Sequence, residues 1–359
     1  MTQVTRTLLI MAGGTGGHVF PALAVAREMR QRGYDVQWMG TLAGIEARLV
    51  PAESIPLHFI SITGVRGKGL LTKLKVPFLL IGALWQSMKI LNSVKPCAVL
   101  GMGGFAAGPG GLAAAMKRVP LLIHEQNAIA GTTNRILHRV AQYTLQGFSG
   151  SFDDGEFTGN PVRNDITNLP APEIRMEGRS EALRLLVLGG SLGAVVLNEI
   201  LPLAVAKIDA AYRPQIRHQC GRDRSQEVSA RYADAGVDAR ADDFIGDMAE
   251  AYGWADLAVC RAGALTVAEL ACAGLGALMV PYPHAIDDHQ TANARWLEQQ
   301  GGGLVLPQST ISVDSLAQQL EVYCRDRKKT LTMAISARAS ALPQAVSTVA
   351  DRCEEACRG

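Results

Sequence analysis

A chain of 359 residues is too long for one small domain and comfortable for two of about 150–180 residues each. With 48% hydrophobic residues and a mean hydropathy of +0.12 it can bury a large core, and 19% charged residues exclude a disordered or heavily solvated chain. The net charge of only +2 excludes a globally basic nucleic-acid binder, so no nucleic-acid partner is expected.

The charge is unevenly spread. Residues 1–165 hold 16 Lys and Arg against 9 Asp and Glu, a net +7, and the remainder carries −5. No acidic residue lies between Glu53 and Glu125, whereas Lys73, Lys75, Lys89, Lys95, Lys117 and Arg118 do, which points to an anionic partner for the first half. The seven cysteines are scattered, and no C-x-x-C occurs. Neither a zinc site nor a disulfide framework is indicated, and reduced thiols are expected. The first apolar run, residues 8–12, leads straight into a glycine loop and reads as a strand rather than a signal peptide. The longest uncharged stretch, residues 76–88, is 13 residues, short of the ~20 that span a bilayer.

Along the chain, short apolar runs alternate with helical patterns. Residues 7–11 read as a strand, residues 20–32 as a helix and residues 34–39 as the next strand. Residues 97–100, a second glycine loop, a helix to Arg118 and a strand over residues 120–124 follow. The pattern restarts at Leu183 with LRLLVLGGSLGA, a helix through Ile208, and strands over residues 215–219, 257–260 and 277–281. Repetition of strand, loop and helix predicts parallel sheets covered on both faces, in two doubly wound α/β domains. The Pro-rich stretch GNPVRNDITNLPAPEIRMEG reads as the connector, which divides the chain into residues 1–163 and 164–340. A last alanine-rich segment, residues 330–357, is helical in pattern apart from Pro343.

Three glycine loops stand at strand ends: GGTGGH at Gly13–His18, GMGGF at Gly101–Phe105 and GGSLGA at Gly189–Ala194. Glycine lets backbone approach a ligand, and the following helix offers unpaired N–H groups to a phosphate. A dinucleotide site fits poorly, because Val19 stands where G-x-G-x-x-G needs glycine and no acid follows the second strand to bind a ribose. The Walker-type lysine motif is also missing. In the second half, RAGALTVAEL places Thr266-x-x-Glu269 after a strand. That spacing is a capping box, worth ~1 kcal/mol, or else a carboxylate placed to accept from a ribose diol.

Taken in order, GGTGGH, GMGGF-x-x-GPGG, HEQNAIAGTTN, GNPVR, GGSLGA, RAGALTVAEL and HQTANA resemble the MurG family, bacterial N-acetylglucosaminyltransferases of peptidoglycan synthesis, over nearly the whole chain. The resemblance implies two Rossmann-like domains facing a cleft (the GT-B glycosyltransferase fold), with the C-terminal helix, about residues 341–359, packing back on the first. It implies UDP-N-acetylglucosamine as donor and lipid I (undecaprenyl-pyrophosphoryl-MurNAc-pentapeptide) as acceptor, with inversion at the anomeric carbon. Another UDP-sugar glycosyltransferase or a UDP-sugar epimerase is the alternative. It further implies Glu269 as the ribose ligand, the backbone of Ala264, Leu265, Thr266, Val267 and Ala268 around the donor sugar and diphosphate, and Ile245 beside the uracil. Ser191 would contact the diphosphate, Gln290 and Asn127 the sugar hydroxyls, and Arg163 the donor from the domain hinge. Thr15, Gly16 and Gly17 would meet the donor from the first domain. Residues 283–289 depart from the family pattern by one added residue, so Asp287, Asp288 and His289 receive no role.

No Asp-x-Asp occurs, so neither a metal nor any other cofactor is expected, and helix N-termini are left to neutralise the leaving diphosphate. His18 and Glu125 compete for the role of general base. A nicotinamide oxidoreductase would need the absent ribose acid, and a scaffold protein would have no use for three glycine loops. A C55 acceptor stays in the bilayer, which places the enzyme on the cytoplasmic face of the bacterial inner membrane as a peripheral protein. Phe78, Ile81, Trp85 and Met88, extended by Leu91, recur at helical spacing after Pro77 with Lys73, Lys75 and Lys89 alongside. That pattern predicts an interfacial helix on an anionic membrane surface.

Overall fold

The computed structural model describes residues 6–62, 70–190 and 193–359, without the side chains of residues 70–76 and 286. The chain forms two compact units: residues 1–163 with 343–359, and residues 164–342.

In the N-terminal unit the strands are β1 (Thr7–Met11), β2 (Asp35–Gly40), β3 (Leu57–Phe59), β4 (Ala98–Gly101), β5 (Leu121–Glu125), β6 (Tyr143–Gln146) and β7 (Glu156–Phe157). They form one parallel sheet in the order β3-β2-β1-β4-β5-β6-β7. The helices are α1 (Gly16–Gln31), α2 (Glu46–Ala52), α3 (Leu70–Val94), α4 (Ala107–Met116) and α5 (Thr132–Leu137). The central strands are buried on both faces, with Leu8 and Ile10 in one cluster and Leu9 and Met11 in another. Continuous apolar runs such as TLLIM follow from that double burial.

The second unit repeats the plan. It opens with the short helices α6 (Asn164–Thr167) and α7 (Pro172–Arg175). Strands β8 (Arg184–Leu188), β9 (Gln215–Gln219), β10 (Arg240–Asp242), β11 (Leu257–Cys260), β12 (Gly276–Met279) and β13 (Gly303–Val305) lie in the order β10-β9-β8-β11-β12-β13, all parallel. Its other helices are α8 (Val195–Ala206), α9 (Ser225–Asp234), α10 (Met248–Trp254), α11 (Ala264–Ala273), α12 (His289–Gln299), α13 (Val313–Arg325) and α14 (Arg327–Ala339).

In both sheets the strand order reverses beside the first strand of the unit, between β1 and β4 and between β8 and β11. In doubly wound sheets ligands bind outside the carboxyl ends of the strands at such a switch point. All three glycine loops and the segment from Arg261 to Leu270 emerge there.

The last helix, α15 (Ala345–Arg358), belongs to the N-terminal unit. Its Val349, Ala350, Cys353, Ala356 and Cys357 recur on one face and join the core cluster of β1 and α1. Cys357 is disulfide-bonded to Cys97, with Cα atoms 4.7 Å apart. This corrects the expectation of reduced thiols throughout: the pair is 260 residues apart in sequence, and only the return of α15 brings it together. Val349 is fully buried, so Val349→Asp places an unpaired charge in the core. It is expected to lower the melting temperature, read by circular dichroism, by about 10 °C. An unchanged melting temperature would show that α15 does not share the core.

Candidate functional site

After β1 the chain turns through Gly13 and Gly14 (φ 89°) into α1, whose N-cap is Thr15. Gly16, Gly17 and His18 form the first helical turn, where backbone N–H groups are left over for a ligand. The His18 Nδ1 lies 3.2 Å from the Gly13 carbonyl. A carbonyl only accepts, so Nδ1 carries the proton and Nε2 presents the lone pair. The second glycine loop closes over this turn. A Cβ on Gly104 (φ 84°) would lie 2.3 Å from the Gly13 oxygen, and one on Gly103 (φ 93°) 2.8 Å from His18 Cδ2. Both positions need glycine for conformation and for space.

Glu125 ends β5 and is almost wholly buried. One oxygen accepts from the Asn127 N–H at 3.0 Å and Asn127 Nδ2 at 3.2 Å. The other accepts from the Gly131 N–H at 3.0 Å and Asn134 Nδ2 at 2.9 Å. A carboxylate has about four lone-pair sites, and four donors occupy these. Beside it, His124 donates from Nε2 to the Gly159 carbonyl at 2.9 Å. Arg163, the last residue of the N-terminal unit before α6, lies with its guanidinium 6.0 Å from the Phe20 ring centroid.

In the C-terminal unit α11 begins at Ala264 with Gly263 as N-cap and no side-chain cap. Thr266 and Glu269 therefore stand inside the helix, and the capping-box alternative falls. The buried Glu269 accepts from the Tyr252 hydroxyl at 2.9 Å. Ala264, Leu265, Thr266, Val267 and Ala268 fill the first turns of the same helix. The Gln290 side-chain oxygen accepts from the Tyr282 N–H at 2.9 Å and the Ala262 N–H at 3.3 Å, which leaves its NH₂ as the group the side chain can offer. Ile245 follows β10, its N–H donating to Gln219 Oε1 at 3.2 Å. Arg261, held against the carbonyls of Val280 and Pro281, adds a cation at the end of β11 that the sequence reading did not single out. Ser191 lies outside the described residues. Its neighbour Gly193 (φ 77°) packs where a Cβ would come 2.2 Å from the Cys220 carbonyl oxygen. Among the described residues no group of three or more His, Cys, Asp or Glu is placed to hold a metal ion.

The apolar stripe of α3 divides. Phe78, Ile81 and Trp85 are 77%, 65% and 57% exposed, and Lys89 Nζ sits 3.4 Å from the Trp85 ring centroid. Met88, predicted on the same exposed face, is half-buried against the core, and Leu91 is part of that core. A straight helix turns 100° per residue, so a stripe that starts outward at Phe78 has rotated inward by Leu91. The side chains of Lys73 and Lys75 fall outside the description. Among the described residues no helix is long and apolar enough to cross a membrane.

Residues 8–146 match the glycosyltransferase family 28 N-terminal domain, and residues 184–349 its C-terminal domain. The chain is 52% identical over 357 residues to a protein of Marinobacter nauticus named UDP-N-acetylglucosamine--N-acetylmuramyl-(pentapeptide) pyrophosphoryl-undecaprenol N-acetylglucosamine transferase, spanning 99% of this chain and 98% of that one. A protein of the same name from Alkalilimnicola ehrlichii is also 52% identical, spanning 99% of this chain and 100% of its own. The crystal structure of Acinetobacter baumannii MurG matches with a TM-score of 0.86 and 43% identity, over 98% of this chain and 99% of that one.

Burial pushes His124 from the ordinary value of 6.5 down to about 4, against the opposing pull of the Gly159 carbonyl and the Glu125 charge. The unfolded chain takes up this proton first as pH falls. The stability that neutral His124 contributes is therefore intact above about 6.5 and lost as pH drops towards 4. The melting temperature is expected to fall across that window, and less steeply in His124→Gln. Parallel slopes for the two proteins would contradict the assignment.

Proposed function

The chain belongs to glycosyltransferase family 28, within its MurG branch, and from that premise we propose that it transfers N-acetylglucosamine from UDP-N-acetylglucosamine to the C4 hydroxyl of the MurNAc sugar of lipid I, with inversion at the anomeric carbon. The observation that carries this reading is the full-length match to relatives named for the reaction, in a chain whose glycine loops all emerge at the two topological switch points. Lipid II is then the product.

We assign the donor to the C-terminal unit. Glu269 accepts from the ribose hydroxyls, with the Tyr252 hydroxyl fixing one of its oxygens. The NH₂ of Gln290 donates to a sugar hydroxyl, and Ile245 flanks the uracil. The N-termini of α8 and α11, with Arg261, face the diphosphate with positive charge, so the leaving UDP needs no metal to neutralise it. The acceptor falls to the N-terminal unit, where His18 is the general base. As the C4 oxygen bonds to the anomeric carbon and the bond to the UDP oxygen breaks, its proton passes to Nε2 of His18. Glu125 is the weaker candidate, because its four hydrogen bonds leave no lone pair for that proton. Its part is to hold the Asn127–Gly131 turn.

UDP release from UDP-N-acetylglucosamine in the presence of a lipid I analogue tests the reading. Wild type is expected to form the lipid II analogue. His18→Ala should lower kcat by ~10²–10⁴ while keeping UDP binding. Glu269→Ala should raise the donor KM by about 10–100-fold, the worth of a charged hydrogen bond. No transfer by wild type, or transfer to water alone, would overturn it.

The exposed Phe78, Ile81 and Trp85 with Lys89 stacked on the indole support docking on anionic lipid at the cytoplasmic face of the inner membrane. Each basic residue near such a surface contributes about 1 kcal/mol and is screened by salt. The protein is expected to float with phosphatidylglycerol vesicles at low salt, and the triple change of Lys73, Lys75 and Lys89 to Glu to abolish flotation without loss of UDP binding. Wild type that ignores these vesicles would remove α3 as the docking surface.

A further inference from the structure

Glu46, the first residue of α2, is fully buried, yet none of the roles above uses it. Burying a carboxylate is costly unless donors surround it. Its Oε1 accepts from the Thr41 N–H at 2.9 Å and the Thr41 hydroxyl at 2.7 Å, and its Oε2 accepts from the Gly14 N–H at 2.9 Å. Three glycines clear the space it occupies. A Cβ on Gly44 would come 1.9 Å from Oε2, one on Gly13 2.4 Å from Oε1 and one on Gly40 2.7 Å from Cγ. An apolar side chain would fill such a socket more cheaply if packing were all that mattered.

The Gly14 N–H and the Gly13 carbonyl are the two ends of one peptide group. That group is planar, so fixing its N–H fixes the direction of its C=O. The N–H donates to Glu46, and the C=O accepts from His18 Nδ1. With glycine on both sides, the plane could otherwise rotate at little cost.

We propose that Glu46 is a positioning residue for the transfer reaction: through the Gly13–Gly14 peptide it sets the orientation and tautomer of His18. The inference rests on His18 as the base. The carboxylate charge polarises the peptide, strengthens the Gly13 carbonyl as an acceptor and so raises the basicity of Nε2.

Glu46→Gln tests it. A glutamine has one oxygen and one NH₂ for a socket of donors. With its oxygen on the two Thr41 donors, the NH₂ opposes the Gly14 N–H and releases the peptide. With the lipid I analogue, kcat is expected to fall by about 10–100-fold while the KM for UDP-N-acetylglucosamine stays within about twofold. The acidic limb of the kcat pH profile should move to lower pH, because the imidazole loses the support that made it more basic. A change that only loosened the fold would lower the melting temperature and leave that limb in place. In a His18→Ala background Glu46→Gln should add no further loss, since it acts through the missing ring.

If Glu46→Gln does not fold, Thr41→Val carries the test. It keeps the charge but removes one donor, and should lower kcat about threefold with the limb moved the same way. A wild-type kcat and limb in the variant that folds, with His18→Ala strongly impaired, would overturn the positioning role alone. A His18→Ala enzyme with wild-type kcat would overturn the base assignment on which it rests.

Discussion

A parallel sheet leaves its ladder abruptly at the carboxyl ends of its strands, and the first backbone N–H groups beyond that edge must find other acceptors while still buried. This requirement shapes both units. In the N-terminal unit carboxylates meet it: Glu46 holds Gly14 and Thr41, and Glu125 holds Asn127 and Gly131. In the C-terminal unit the loops around β8 and β11 rely on neutral amides. Gln219 takes the Ile245 N–H, Gln290 takes those of Ala262 and Tyr282, and Asn198 and Asn293 donate to the carbonyls of Cys220 and Ala262. The division suits the roles proposed for the two units. A site for a diphosphate gains from amides that add no negative charge, whereas a base gains from a carboxylate one peptide away.

Close approach of backbone to backbone is the second half of the same device. Gly104 lies against the Gly13 carbonyl and Gly193 against that of Cys220, so in each unit a neighbouring segment packs on the glycine loop with no side chain between. The loops are thereby rigid in the places where a ligand needs N–H groups held in advance, which is what preorganised electrostatic stabilisation requires.

The strands and glycine loops are legible in the sequence because their signals are local: continuous apolar runs of four or five residues, each broken by glycine. The doubly wound class follows from those alone. Short edge strands such as β7 and β10 carry too few residues for any periodicity to register. Glu46 is invisible for a different reason. In GIEARLVPAE it looks like an acid on a solvated helix, and its meaning lies in a partner 32 residues earlier. The Tyr252 hydroxyl on Glu269 and the Cys97–Cys357 bond are likewise products of the fold rather than of spacing. Thr266-x-x-Glu269 shows the converse, a local signature that misleads because the helix begins two residues before the threonine.

The chemistry proposed for the N-terminal unit turns on which nitrogen of His18 carries the proton. Nitrogen-15 NMR of protein labelled in its histidine rings, with His18 assigned by comparison with His18→Ala, reads this directly. In the neutral ring Nδ1 should resonate as the protonated, pyrrole-type nitrogen and Nε2 as the unprotonated one. A neutral His18 protonated at Nε2 would contradict the account, since that ring could neither donate to Gly13 nor accept the proton of the incoming hydroxyl.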